Sequence, residues 1–175
     1  MPTILPSDWL SIEVTGAARR EWETLRTLAA GGARVPRPIE CTGDAILMSY
    51  IGDEGFAAPQ LHSYDVEDTD EAEALVDQVL QAIERMLFLN VVHGDLSPYN
   101  LLVWEGQVTV IDLPQAVDPR KNRHARAFLE RDVERICEWA TRHGVDRPAG
   151  RIAGDLWTGW EFADLVPEEL RGLTM

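Results

Sequence analysis

The stretch Val91-Val92-His93-Gly94-Asp95-Leu96-Ser97-Pro98-Tyr99-Asn100-Leu101-Leu102 sets a dense polar loop between two apolar segments, and any fold must accommodate it. Upstream, Ala72, Leu75, Val76, Val79, Leu80, Ile83 and Leu87 recur at helical spacing. They predict a core-packed helix that starts at Asp70 and Glu73 and runs to about Leu89. Downstream, the β-rich runs Leu101 to Trp104 and Val108 to Ile111 flank Glu105-Gly106-Gln107, a hairpin signal, and the second run ends on Asp112. The hairpin returns the chain so that Asp112 can face Asn100.

Those residue types suit phosphoryl transfer. A phosphoryl acceptor needs a carboxylate to orient its hydroxyl and take its proton, and Mg²⁺ needs hard oxygen ligands that leave room for phosphate oxygens. Asp95 is the expected base or hydroxyl-orienting group, Asn100 and Asp112 are the expected metal ligands, and Asp112 counts with Asp95 as catalytic. His93 is expected to brace the loop. The bland alternative is that Asp, Asn, Gly, Pro and Ser fill turns for local reasons. Against it stands an Asp at the end of a buried-looking strand, where a charge needs a partner and a metal is one. Ser97 beside His93 and Asp95 lacks the strand-to-helix elbow of a hydrolase nucleophile.

Elsewhere Ala18, Trp22, Leu25 and Ala29 predict a helix from Ala17 to Ala30, stopped by Gly31-Gly32. Val35-Pro36-Arg37-Pro38 must be extended. A short hairpin follows, about Ile39 to Cys41 and Ala45 to Tyr50, and Gly52 to Pro59 reads as an irregular, hinge-like segment. Phe128, Leu129, Ile136, Cys137 and Ala140 mark a helix from about Ala125 to Arg142, and Leu156, Trp157 and Trp160 a short one beyond Val145.

At 175 residues, 45% hydrophobic and 26% charged, the chain is long enough for one folded domain. Its net charge of −14 argues against general nucleic-acid or membrane capture. No apolar run approaches bilayer length. Cys41 and Cys137 have no metal-ligand or disulfide spacing, and a reducing cytoplasm is the expected location. Arg120, Lys121, Arg123, His124, Arg126 and Arg131 form a basic island that reads as a solvated loop and helix start, with an acidic or phosphorylated substrate as the sharper alternative.

His93-Gly94-Asp95-Leu96-Ser97-Pro98-Tyr99-Asn100 and Ile111-Asp112-Leu113-Pro114-Gln115-Ala116-Val117-Asp118 resemble the catalytic and metal-binding loops of the RIO family of atypical serine/threonine protein kinases. Glu21 to Leu25, Val35 to Ile39, Met48 to Gly52, Ala58 to Leu61 and Phe128 to Asp132 look like further blocks in the family's order. The resemblance implies an α+β, protein-kinase-like fold, with a mainly helical C-lobe, short β-hairpins and an incomplete N-lobe. Residues 1–52 would be the N-lobe remnant and hinge, 53–144 the C-lobe, and 145–175 a C-terminal helix and tail. It implies ATP and Mg²⁺ as ligands, and a protein substrate or the chain itself as acceptor, with ATPase activity also found in the family. By the same carry-over Met48 to Ile51 would be the adenine-binding hinge, acting through Ser49 and Ile51 backbone groups. Glu21 would pair the ATP-binding lysine, and Asp132 would tie the catalytic loop to the following helix.

One departure bears on activity. Lys121 is the only lysine in the chain and follows the catalytic loop, and no glycine-rich phosphate-binding fingerprint precedes Glu21. Three readings account for this: coding sequence upstream of Met1, a partner chain supplying the missing N-lobe strands, or a degenerate clamp. Weak turnover in isolation is expected. The rival readings are a small-molecule phosphotransferase of the aminoglycoside or choline kinase type, and a nucleotide-binding pseudokinase acting as a partner module.

Overall fold

The computed structural model describes residues 16–43 and 45–165. The readings that concern the first fifteen residues and the tail after Leu165 lie outside the described residues. Helix α1 spans Gly16–Ala30 and buries Leu25 and Leu28. Its end has a direct cause: Gly32 takes φ +75°, and the Ala33 and Gly32 amides close back onto the Leu28 and Ala29 carbonyls at 2.9 and 3.2 Å. This is the left-handed stop predicted from Gly31-Gly32.

Strands β1 (Pro38–Thr42) and β2 (Ala45–Met48) pair antiparallel, with an irregularity between Pro38 and Glu40. The segment read as irregular contains a further small pairing, β3 (Gly52–Asp53) with β4 (Phe56–Ala57). Its strands, two residues each, are too short to leave a periodic signal.

Helix α2 spans Thr69–Phe88 and starts earlier than the Asp70 and Glu73 pattern predicts. Asp68 is the N-cap, its carboxylate accepting the Glu71 amide at 2.9 Å, while Glu71 accepts from the Glu67 amide and the Tyr64 hydroxyl. The cap lies two residues upstream because several acidic residues in a row offer the same signal. The stripe Ala72, Leu75, Val76, Val79, Ile83, Met86 and Leu87 is buried, each larger side chain contributing about 1.5–3 kcal/mol. Asn90, at φ +59°, turns the chain out of α2 and presents its side-chain oxygen to the Trp160 indole N–H at 3.1 Å.

After a 3-10 turn at Pro98–Asn100, strands β5 (Leu101–Trp104) and β6 (Gln107–Val110) form a tight hairpin. Both turn residues, Glu105 and Gly106, have positive φ, as a two-residue hairpin turn requires. Helix α3 spans Ala125–Arg142 as predicted. Helix α4, Ala149–Leu165, is longer than the short helix predicted. Gly150, Gly154 and Gly159 weaken the local signal by about 1 kcal/mol each relative to Ala. Packing overrides that loss: Ala153, Trp157 and Trp160 are buried, and Arg147 just before the helix bridges Glu73 and Asp77 of α2 at 2.7 and 3.0 Å. One apolar cluster runs from α1 through α2 and the β5–β6 hairpin to α3 and α4. The polar loop 93–100 lies along its rim.

Candidate active site

The loop between α2 and β5 is held from three directions. Val92 and Val117 exchange backbone hydrogen bonds at 2.9 Å, which clamps both ends of the 93–116 excursion. The Asp132 carboxylate, 1% exposed on α3, accepts the Gly94 amide at 2.8 Å and the Leu96 amide at 3.0 Å. Burial pushes Asp132 up to about 6, against the opposing pull of those two amides. His93, also buried, donates from Nε2 to the Ile111 carbonyl at 3.1 Å, and burial lowers its pKa against the opposing pull of that carbonyl and of Asp112 and Asp95. Its Nδ1 has no partner among the described residues. Gly94 has φ +80°, and a Cβ there would stand 2.7 Å from the Gln115 carbonyl oxygen, so both dihedral and space require glycine.

On this frame the predicted residues take up distinct positions. Asn100 is 8% exposed. Its amide nitrogen donates to the Asp95 carbonyl at 3.2 Å, and its side-chain oxygen receives only a long 3.5 Å contact from the Ser97 hydroxyl. The hairpin ladder continues through the Ile111 amide to the Asn100 carbonyl at 2.9 Å. Asp112 thus follows the residue opposite Asn100, is exposed, and has φ +65°, an uncommon conformation for a residue other than glycine. Such strain concentrates at functional sites. Oxygen donors of this kind, an amide oxygen nearly free of partners and an exposed carboxylate, fit Mg²⁺ with phosphate completing its shell. Among the described residues no group of three or more His, Cys, Asp or Glu side chains forms a self-sufficient metal centre.

Asp95 faces differently. Its half-exposed carboxylate meets the Arg135 guanidinium at 2.8 Å, and that hydrogen bond holds its pKa below the usual carboxylate value. Arg135 also reaches the Leu96 carbonyl at 3.4 Å, and Arg131 donates to the Gly94 carbonyl. Arg131, which the sequence places in a solvated island, thus braces the loop, and Arg135, outside that island, joins it. The signal was present: 128, 131, 132 and 135 share one face of α3, the face that also buries Asp132. The rest of the island pairs locally, Arg120 and Lys121 with Asp118 at 2.8 and 3.6 Å and Arg126 with Glu130 at 3.1 Å.

A cleft of about 520 Å³ gathers the remaining predicted residues. It is lined by Glu21, Met48, Ser49, Ile51 and Asp112, together with Pro36, Tyr50, Ala57, Ala58, Leu102 and Ile111. Asp95 and Asn100 do not line it. Burial and the charge of Asp112 raise the Glu21 pKa, while the Leu113 amide lowers it. Within the hinge the Ser49 amide donates to the Arg37 carbonyl at 2.8 Å, and the Ile51 carbonyl accepts from Ala58 at 3.0 Å. Those two groups are already engaged by the protein, a restriction the sequence did not reveal.

Comparison with known proteins bears on the family and the fold. The RIO domain family model matches residues 5–151. The RIO-type serine/threonine-protein kinase Rio1 of Thermoplasma acidophilum is 35% identical over 77% of this chain and 68% of its own length. The Haloferax volcanii Rio1 is 34% identical over 73% of this chain and 43% of its own length. The human serine/threonine-protein kinase RIO1 is 33% identical over 73% of this chain but 22% of its own length, so this chain spans a minor part of the larger relatives. The crystal structure of the Rio2 kinase-ADP/Mg²⁺-phosphoaspartate complex from Chaetomium thermophilum superposes with a TM-score of 0.66. It is 23% identical, and the match covers 89% of this chain and 50% of that one. The extent of the family match and the identity to Rio1 kinases, with a kinase-like α+β fold, lead to one conclusion: this chain belongs to the RIO domain family.

Proposed function

We propose that this chain is a RIO-type serine/threonine protein kinase domain that uses Mg·ATP, with autophosphorylation or ATP hydrolysis as accompanying activities. The observation that carries the reading is the cleft that gathers Glu21, the Met48 to Ile51 hinge and Asp112 at the end of the hairpin whose other end is Asn100. Residues 1–52 then serve as N-lobe remnant and hinge, 53–144 as C-lobe, and 145–175 as a C-terminal helix and tail. The cytoplasm is the proposed location; among the described residues no helix is long and apolar enough to cross a membrane.

In this reading the Ser49 carbonyl and the Ile51 amide face the adenine, since the Ser49 amide and the Ile51 carbonyl are engaged within the protein. Asn100 and Asp112 hold Mg²⁺, which when bound offsets phosphate charge. The acceptor hydroxyl oxygen attacks the γ-phosphorus, its proton passes to the Asp95 carboxylate, and the bond to the β,γ-bridging oxygen breaks with the electron pair leaving on ADP. Arg135 orients Asp95 and keeps it ionised. The ADP and Mg²⁺ of the Chaetomium complex support this ligand pair.

Turnover is expected to be weak in the isolated chain. Its sole lysine, Lys121, pairs with Asp118 rather than lining the cleft with Glu21. That same observation favours the second reading, a nucleotide-binding pseudokinase. Labelled-phosphate transfer to protein and to small alcohols separates the possibilities. Transfer to serine or threonine of protein, lost in Asp95→Asn, supports the kinase. Transfer to small alcohols alone contradicts it, and Mg·ATP-dependent thermal stabilisation without transfer marks the pseudokinase.

A further inference from the structure

We propose that a second cavity, of about 440 Å³ and sharing no lining residue with the cleft, binds a small multivalent oxyanion such as a phosphate ester or a polycarboxylate. It lies where the linker after α1 meets α2 and the turn end of the β5–β6 hairpin. Its walls are Gly32, Ala33 and Arg34 from the linker, Gln78, Gln81, Ala82 and Arg85 from α2, and Gln107 from β6.

The charge of this cavity is opposite to that of the molecule. The chain carries a net −14, yet these walls hold two guanidiniums, three carboxamides and no carboxylate. Among the described residues neither Arg34 nor Arg85 is ion-paired, whereas the island arginines Arg120 and Arg126 are. Arg85 is anchored by its Nε–H to the Gly31 carbonyl at 2.7 Å, which leaves its terminal nitrogens for a second acceptor. A planar guanidinium held at one edge is pre-organised for an oxyanion at the other. Gln81 and Gln107 add amide donors, which a multivalent oxyanion accepts and a simple halide uses poorly.

The site is also built into the hairpin. Gln78 donates to the Gly106 carbonyl at 2.9 Å and accepts the Val108 amide at 3.1 Å, while the Arg34 carbonyl accepts the Val110 amide at 2.9 Å. An anion spanning Arg34 and Arg85 therefore fastens the linker and α2 to the hairpin that ends at Asn100 and Asp112.

The test is titration of the full chain with inorganic phosphate and with pyrophosphate, in EDTA and at constant ionic strength set by chloride. Saturable binding is expected, weakened about tenfold or more in Arg34→Ala, whose exposed side chain makes no internal contact needed for folding. Binding should slow hydrogen exchange at the Val108 and Val110 amides, which general screening by salt does not do. Asp112→Asn, altered only in the cleft, should bind phosphate as the parent does. Absence of saturable binding, equal affinity in Arg34→Ala, or loss in Asp112→Asn overturns the proposal.

Discussion

The braced polar loop and the hinge side of the cleft are held to very different degrees. On the side of β5, β6 and α3, the loop 93–100 is fixed by Asp132, His93, the Val92–Val117 bridge and a glycine with no room for a side chain. On the hinge side, Ile39 and Leu47 of the β1–β2 pair, Tyr50 in the connection after it and Phe56 on β4 are all exposed, Phe56 at 73%. The first region is over-determined, so the groups proposed to bind metal and to accept a proton keep one geometry. The second offers shape with little local stability, as expected of a segment that shifts around a ligand.

This contrast predicts that chemistry and stability separate within the braced loop. Asp95→Asn should lower phosphotransfer by about 10²–10⁴-fold, while its exposed pairing with Arg135 changes stability by no more than about 1 kcal/mol. Equal loss of both, by rate assay and denaturant melts, would break the distinction between a chemical and a bracing carboxylate.

Asp132→Ala should do the reverse. It strands two buried amides and should cost about 2–4 kcal/mol in urea melts. The pH dependence has a defined sign. Because the folded-state value is raised to about 6, the folded protein takes up the Asp132 proton more readily than the unfolded chain. That contribution is full below the unfolded value of about 3.9 and is lost as pH rises to 6, a change of about 3 kcal/mol. The parent should lose stability relative to Asp132→Asn over that range; a flat difference would contradict the burial argument.

Gly94→Ala should follow at about 1–3 kcal/mol, from left-handed strain and the close Gln115 carbonyl. Leu47→Thr, on the exposed sheet, should stay within about 0.5 kcal/mol of the parent. A larger loss there would mean that the hinge side is supported more firmly than its exposure indicates.

Much of this was legible in the sequence wherever local rules and packing agree. The α2 stripe, the Gly31-Gly32 stop, the β5–β6 hairpin and α3 all follow from period and turn chemistry. The loop 93–100 was visible as polar residues between apolar ones. The length of α4 was hidden, because glycines mask a helix that tertiary contacts stabilise. The roles of Arg131 and Arg135 were hidden too, because a bracing arginine and a solvated one look alike until a carbonyl or carboxylate from a residue about forty positions away is brought beside it.

The central claim is that Asn100 and Asp112 hold Mg²⁺ for a nucleotide lying under the hinge. Calorimetric titration of ATP into the parent and into Asp112→Asn, each with and without Mg²⁺, tests it most directly. The account predicts that Mg²⁺ tightens ATP binding in the parent at least about tenfold and has little effect in the variant. Equal Mg²⁺ dependence in the two proteins, or no nucleotide binding by the parent, would contradict it.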